Sequence, residues 1–320
     1  MSSVNNINST STDYDGLSPV LIALRTCFIA IIALLIISGN ILSIAVTRRV
    51  TNLADSTKVL MTSLAVSDLM IGIFTSLSVV ASALDSWPFG GVGCEVVVIY
   101  THLCFGMSVL SITCLNIERF LAVTRPYKFP VWCSRFRVKL LVLVLAFLGL
   151  CFSLATKIAS ESYAEFNHVL QACEYVNAPT YPEVLTLLFG DIFPTILMSC
   201  IYYRLIKISR QHEQRLNQNG NNEANNNHDN KALKTFLVVT STYAVCYTPF
   251  LTVKVVKSLP GMSIPGWLQF ITVWLLISNS MFNVIIYCLF NKLFRQKAKK
   301  ILSERFPSCN RSIGPIEITP

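Results

Sequence analysis

The chain has 320 residues, 53% of them hydrophobic and 13% charged, with a formal net charge of +9. So much apolar material with so little charge exceeds what one soluble core uses, which points to a membrane-embedded protein. The cations sit at a few places along the chain, so their excess is a topology signal and calls for no nucleic acid as partner.

Residues 1–19 are polar and rich in Ser, Thr and Asn, and they contain Asn8-Ser9-Thr10, a glycosylation acceptor if that end is outside. They lack the positive and apolar regions of a cleavable signal, so the first apolar run is expected to direct insertion. Seven apolar runs of the length that crosses a ~30 Å hydrocarbon core follow, at about 20–47, 57–83, 92–123, 138–159, 183–206, 233–257 and 267–289. The expected fold is all-α and membrane-embedded, a seven-transmembrane helix bundle over 20–290. Its loop 209–230, with the Asn-rich tract 217–230, is expected to be disordered. Residues 291–320 are expected to form a short amphipathic helix and a tail.

An odd number of spans puts the two ends of the chain on opposite sides. Of the 26 Lys and Arg residues, only Arg25, Lys157, Lys254 and Lys257 fall on the side of the N-terminus. The positive-inside rule therefore places the N-terminus outside and the C-terminus in the cytoplasm, in a multi-pass membrane protein. Cys27, Cys104, Cys114, Cys151, Cys200, Cys246 and Cys288 lie within spans and read as small buried apolar residues. Cys94 and Cys173 (the latter in the loop 160–182) face an oxidising compartment, where they form a bridge or remain two unrelated thiols. Cys309, beyond a basic amphipathic stretch, is a candidate for palmitoylation or a plain thiol.

Within the third run, Cys114 to Val123 reads CLNIERFLAV, with Glu118 and Arg119 side by side. Charges in such a run cost several kcal/mol unless paired or near water. At 100° per residue, Cys94, Thr101, Ser108 and Arg119 share one stripe, which turns Arg119 inward. An ion pair that only anchors the helix is the plainer reading, but an anchor needs no inward-facing arginine. Further markers follow: Gly39-Asn40, LAVSD ending at Asp68, Pro194 and Tyr202, Cys246-Tyr247-Thr248-Pro249, and SNSMFNVIIY from Ser278 to Tyr287.

Taken in order over about 20–305, these motifs resemble the rhodopsin-like (class A) G-protein-coupled receptors. The resemblance implies a cell-surface receptor, not an enzyme, that converts binding of a small molecule or short peptide into activation of a heterotrimeric G protein. Arrestin, a receptor kinase and membrane lipid are its further implied partners. It assigns the G-protein switch to Glu118, Arg119, Tyr202, Asp229, Tyr247, Asn283 and Tyr287. It also implies an allosteric sodium ion at Asp68, Ser108, Asn279, Ser280 and Asn283, near Asn40; a protonated, hydrogen-bonded Asp68 is the alternative. The sequence departs from the family at Tyr247 (usually tryptophan), Val284 (usually proline), Glu118 (usually aspartate) and in a fourth span without tryptophan.

Amine receptors carry an aspartate where this chain has Thr101, and the seventh run has no lysine for retinal. The expected ligand pocket comprises Thr101, His102, Phe105, Glu174, Asp191, Tyr247, Phe250 and Lys254, with Tyr243 on the same stripe. Asp191 either replaces the missing amine counter-ion or bonds Lys254 or a hydroxyl. A constitutively active receptor without a diffusible agonist shares all these features. A transporter or channel would show paired repeats or a filter loop, and histidines at 102, 168, 212 and 228 are too scattered for a catalytic or metal set.

Overall fold

The computed structural model describes residues 18–51, 53–159, 163–176, 188, 192–218, 226–257, 259 and 261–305. Seven long helices correspond to the expected spans: α1 Pro19–Arg49, α2 Asp55–Leu84, α3 Gly90–Thr124, α4 Arg135–Ala159, α5 Phe193–Gln218, α6 Asn226–Lys257 and α7 Gly266–Phe290. One residue later α8, Lys292–Arg305, begins, and a single helical turn at Phe129–Trp132 joins α3 to α4. Among the described residues, α1 to α4 and α7 are long and apolar enough to cross a membrane.

Local chemistry fixes the helix ends. Ser18 caps α1 by accepting the Leu21 N–H at 3.4 Å, and Pro19 supplies a φ already suited to the first turn. Arg48 and Arg49 close α1, where cations suit the negative end of the helix dipole. Asp85 ends α2 in the left-handed region, at φ 48°. Asn291 turns the chain sharply from α7 into α8, donating its N–H to the Tyr287 carbonyl and accepting the Phe294 N–H at 3.1 Å. α8 buries Phe294 and Ala298 and is tied to α1 by the exposed pair Arg49–Glu304 at 2.6 Å. Its amphipathic character agrees with the expectation.

α3 is the axis of the bundle, touching α2, α4 and α5, while α1 packs on α2, α7 and α8. α1 and α2 pack tightly at Gly72, where an added Cβ would stand 2.8 Å from the Ile36 side chain. Large apolar side chains such as Leu34, Leu143 and Phe147 point outward, while Asp68, Asn116, Glu118 and Asn283 are buried inside. That inversion suits a hydrocarbon surround. Of the cysteines expected to be buried, Cys104 and Cys246 are, but Cys27, Cys151 and Cys200 are exposed on the outside of the bundle. A thiol is apolar enough to face lipid as readily as a core.

One other expectation is corrected. The loop 209–230 was expected to be disordered, but its backbone is helical over 209–218 and from 226 onward. Arg, Gln, Glu and Leu there are good helix formers and prolong α5; residues 219–225 lie outside the described residues. The loop 160–182 contains an antiparallel hairpin, β1 Tyr163–Asn167 and β2 Ala172–Val176, in register from Tyr163↔Val176 to Asn167↔Ala172. Asn167 builds its turn by accepting the N–H groups of Val169 at 2.8 Å and Leu170 at 3.0 Å.

One face of the hairpin, Ala164, Phe166, Cys173 and Tyr175, packs on Cys94 and Val98 of α3. Cys94 and Cys173 form the disulfide, with Cα atoms 5.5 Å apart and 79 residues of separation. Trp274 of α7 secures the turn by donating to the Leu170 carbonyl at 3.1 Å. Closing so long a loop is worth about 2–5 kcal/mol. Cys94→Ser and Cys173→Ser should therefore each lower the Tm of the purified protein, and the double variant should lower it no further. Single variants melting like the parent would show that the bridge contributes nothing.

Candidate functional site

Three polar stations lie along α3, at residues 101–102, 108 and 118–119. At the far end from the disulfide, Glu118 is 2% exposed. Its Oε1 accepts hydrogen bonds from Ser56 at 2.9 Å and Thr57 at 2.7 Å, both in the first turn of α2. Its Oε2 lies 3.3 Å from the Arg119 Nε, and Arg119 Nη2 donates to the Thr57 hydroxyl at 3.0 Å. Thr57 thus bridges both charges and pins α3 to α2. Glu118 is the more buried partner, with the Arg119 side chain 24% exposed. Deeper in, Thr240 of α6 donates to the Asn116 Oδ1 at 3.2 Å.

The other switch candidates surround this lock. Tyr287 is buried, packs on Phe294, and lies within electrostatic reach of both Asp68 and Arg119. Tyr247 is buried against Tyr243, ring centroids 4.3 Å apart. Tyr202 is half-buried on α5 and has no hydrogen bond to Glu118 or Arg119 among the described residues. The Asp229 side chain lies outside the described residues.

At mid-depth the carboxylate of Asp68 is fully buried. Ser108 donates to its Oδ1 and Asn283 to its Oδ2, each at 2.9 Å, and no Lys or Arg pairs with it among the described residues. Asn279 and Ser280 are buried on the same helix as Asn283, and the Asn279 Oδ1 has no hydrogen-bond partner among the described residues. Asn40 crosses from α1 to donate to the Ser280 carbonyl at 3.1 Å. An unpaired carboxylate with hydroxyl and amide oxygens around it fits a hard monovalent cation. Among the described residues no cluster of His, Cys, Asp and Glu suits a transition metal.

Near the disulfide, Thr101 has a buried hydroxyl without a partner among the described residues. His102 bonds the Val98 carbonyl at 2.8 Å through Nδ1 and stacks on Tyr175, centroids 6.1 Å apart. Phe105 and Phe250 both pack on the main apolar cluster. One turn along each helix from them lie Thr101 on α3 and Lys254 on α6. Lys254 makes no ion pair among the described residues, and its charge reaches His102.

Glu174 was expected among the pocket residues. Strand alternation turns it to the other face of the hairpin, where it accepts from Asn167, and Tyr175 takes the place over His102. Burial and the nearby Glu95 charge push the Tyr175 phenol above its usual range. Asp191, Asn8 and Cys309 lie outside the described residues.

Ser56, Thr57 and Tyr175 escape sequence reasoning. A Ser-Thr pair in a first turn resembles an ordinary cap, and a loop tyrosine carries no pattern. Glu95, the other charge in the third run, pairs with Lys157 of α4 and also accepts the Ala164 N–H at 3.2 Å. It therefore holds the hairpin to α3 and α4.

Residues 39–287 match the sequence profile of the 7 transmembrane receptor (rhodopsin family). The chain belongs to the rhodopsin family of seven-transmembrane receptors. The human histamine H2 receptor is 27% identical over 298 residues, covering 89% of this chain and 81% of the relative. Dopamine receptor 1 of Drosophila melanogaster is 25% identical, with coverage of 94% and 67%. The fold resembles the crystal structure of squid rhodopsin at a TM-score of 0.79, with 16% identity, 93% of this chain covered and 85% of that one. The relatives' names do not fix a ligand subfamily for this receptor, which is not an enzyme.

The mid-depth station yields a stability test. Asp68→Leu would strand the Ser108 hydroxyl and the Asn283 amide in the core, at a cost of about 1–3 kcal/mol for each. Asp68→Asn keeps an acceptor and the shape. The Leu variant should melt well below the Asn variant; equal Tm values would mean that the two donors find other partners.

Proposed function

We propose that this receptor sits in the plasma membrane with its disulfide end outside, and that a small molecule or short peptide bound in the cavity near Thr101 activates a heterotrimeric G protein at the Arg119 end. The observation that carries this reading is the lock formed by Glu118, Arg119, Ser56 and Thr57. Two charges and two hydroxyls held together at a helix mouth form an element with two stable arrangements, closed as here or opened to a partner that takes the arginine. Arrestin and a receptor kinase would act at the same end. The cations Arg48, Arg49, Arg135, Arg137 and Lys139, with those of α8, all gather there, as expected of a cytoplasmic face.

The relatives named for histamine, dopamine and octopamine make a small-molecule ligand the favoured class. Thr101, however, gives α3 no carboxylate for an amine. Sodium at Asp68 would favour the closed arrangement, through Tyr287, which lies within reach of both stations.

Two measurements test the reading. Glu118→Gln and Thr57→Val each weaken the lock, by about 1–3 kcal/mol if the coupling is typical, so basal nucleotide turnover per surface receptor should rise. Arg119→Ala should abolish turnover while the receptor still reaches the surface. Equal per-receptor activity in all three variants would reduce the pair to an anchor. For the ion, sodium should raise the Tm of the wild type relative to potassium at equal ionic strength, and Asp68→Asn should lose that difference. Identical melting in the two salts would remove sodium from the mechanism.

A further inference from the structure

The station at the disulfide end of α3 carries a charge pattern opposite to the one an amine needs. Lys254, in the last turn of α6, is half-buried, and no carboxylate pairs with it among the described residues. A cation in a last turn suits the negative helix end, but the exposed Lys257 already supplies that. The charge of Lys254 instead reaches inward to His102. The described acids at this end are engaged or turned away. Glu95 pairs with Lys157 and Asp85 with Arg25, while Glu165 and Glu174 lie opposite each other on the face of the hairpin away from Tyr175. A half-buried ammonium without a counter-charge favours the arrival of an anion.

Hydrogen-bond donors gather at the same place. The hydroxyls of Thr101 and Tyr175 are both buried and have no partner among the described residues. The Tyr175 ring lies over His102 with the two planes 12° apart. His102 must donate from Nδ1 to the Val98 carbonyl, because a carbonyl only accepts, and this leaves the accessible Nε2 edge for another contact. One turn along each helix, Phe105 and Phe250 supply aromatic surface.

We propose that the ligand received at this station is an aromatic carboxylic acid, with its carboxylate on Lys254 and the Thr101 and Tyr175 hydroxyls and its ring toward Phe105 and Phe250. An ammonium and two hydroxyls can all donate, and a carboxylate accepts from several donors at once. A protonated amine would meet a like charge there. The assignment rests on the receptor reading above and names the class of its ligand.

The test uses the full-length receptor in phosphatidylcholine nanodiscs and three probes of one skeleton at up to millimolar concentration: hydrocinnamate, its uncharged amide, and phenylpropylamine. Calorimetric titration should find the acid bound most tightly. Lys254→Gln should weaken the acid about tenfold to a hundredfold, as for a hydrogen bond to a charged group, and Thr101→Val and Tyr175→Phe should each weaken it severalfold. Lys254→Arg should keep most of the affinity. If Lys254→Gln does not fold, Lys254→Glu carries the test: it should lose the acid and prefer the amine.

The proposal is overturned if the acid binds no better than the amide, if none of the three binds, or if the acid binds Lys254→Gln as it does the wild type. Tighter binding of the amine to the wild type overturns it as well, and Asp191→Asn and Glu95→Gln would then show which carboxylate receives it. Basal nucleotide turnover without any probe, compared between the wild type and Arg119→Ala, separates failure of this ligand class from failure of the receptor reading.

Discussion

A hydrocarbon surround leaves a polar side chain nowhere to go but inward, and the arrangement of this bundle follows from that constraint. Outside, the helices show Leu, Ile, Val and Phe; inside lie Asp68, Asn116, Glu118, Asn279 and Asn283. Each buried polar atom that finds a partner on another helix fixes the register of the two. Asn40 links α1 to α7, Ser108 and Asn283 join α3 and α7 through Asp68 of α2, and Thr240 joins α6 to α3. Apolar packing alone would leave such helices freer to slide, because lipid tails compete equally well for apolar surface.

α3 passes through all three stations, and its heptad-spaced residues explain how they communicate. Cys94, Thr101 and Ser108 recur every seven residues, close to two full turns, so one face carries the disulfide, the Thr101 hydroxyl and the mid-depth carboxylate contact in succession. The hairpin pinned at Cys94 sets one end of this face, and the Ser56–Thr57 turn holds the other. A displacement of α3 near Thr101 is therefore opposed at fixed points along its length. On the proposed reading of the lock, such fixed points would favour two discrete positions over a continuous slide.

The helices were legible in the sequence because a membrane span is a long, simple signal, and the inward stripe of α3 followed from helical geometry alone. The Glu118–Arg119 pair and the Asp68 cluster were legible for a related reason: a charge in an apolar run stands out. What escaped detection depended on the approach of distant segments. Ser56 and Thr57 are common residues in a helix first turn, and only the nearness of α2 to α3 makes them ligands of a carboxylate. The orientation of Glu174 could not be read because the hairpin was not; once β1 and β2 pair, the two-residue alternation decides that Tyr175, not Glu174, meets His102. The extension of α5 past 209 was hidden by weighing polarity above helix propensity, although a helix leaving the bilayer needs no apolar face.

The departures at Val284 and Tyr247 bear on how stiff the switch is. A proline at 284 would delete the N–H that a continuous helix directs at the Ser280 carbonyl, leaving Asn40 as its donor. In this chain α7 is unbroken from Gly266 to Phe290, so the Ser280 carbonyl can serve the helix and Asn40 together. Val284 also fills the space beside Gly39 of α1, where an added Cβ would lie 3.5 Å from its side chain. α7 is thus held to α1 by a hydrogen bond and by packing within one turn, just above Tyr287. On α6 Pro249 lies inside the helix, and Tyr247, narrower than a tryptophan, lies against Tyr243. Rearrangement is then easier in α6, which keeps its proline and a smaller aromatic, than in α7, which has lost its own. Movement of the inner end should therefore be carried by α6, with α7 acting as a fixed wall that holds Asn283 and Tyr287 in place.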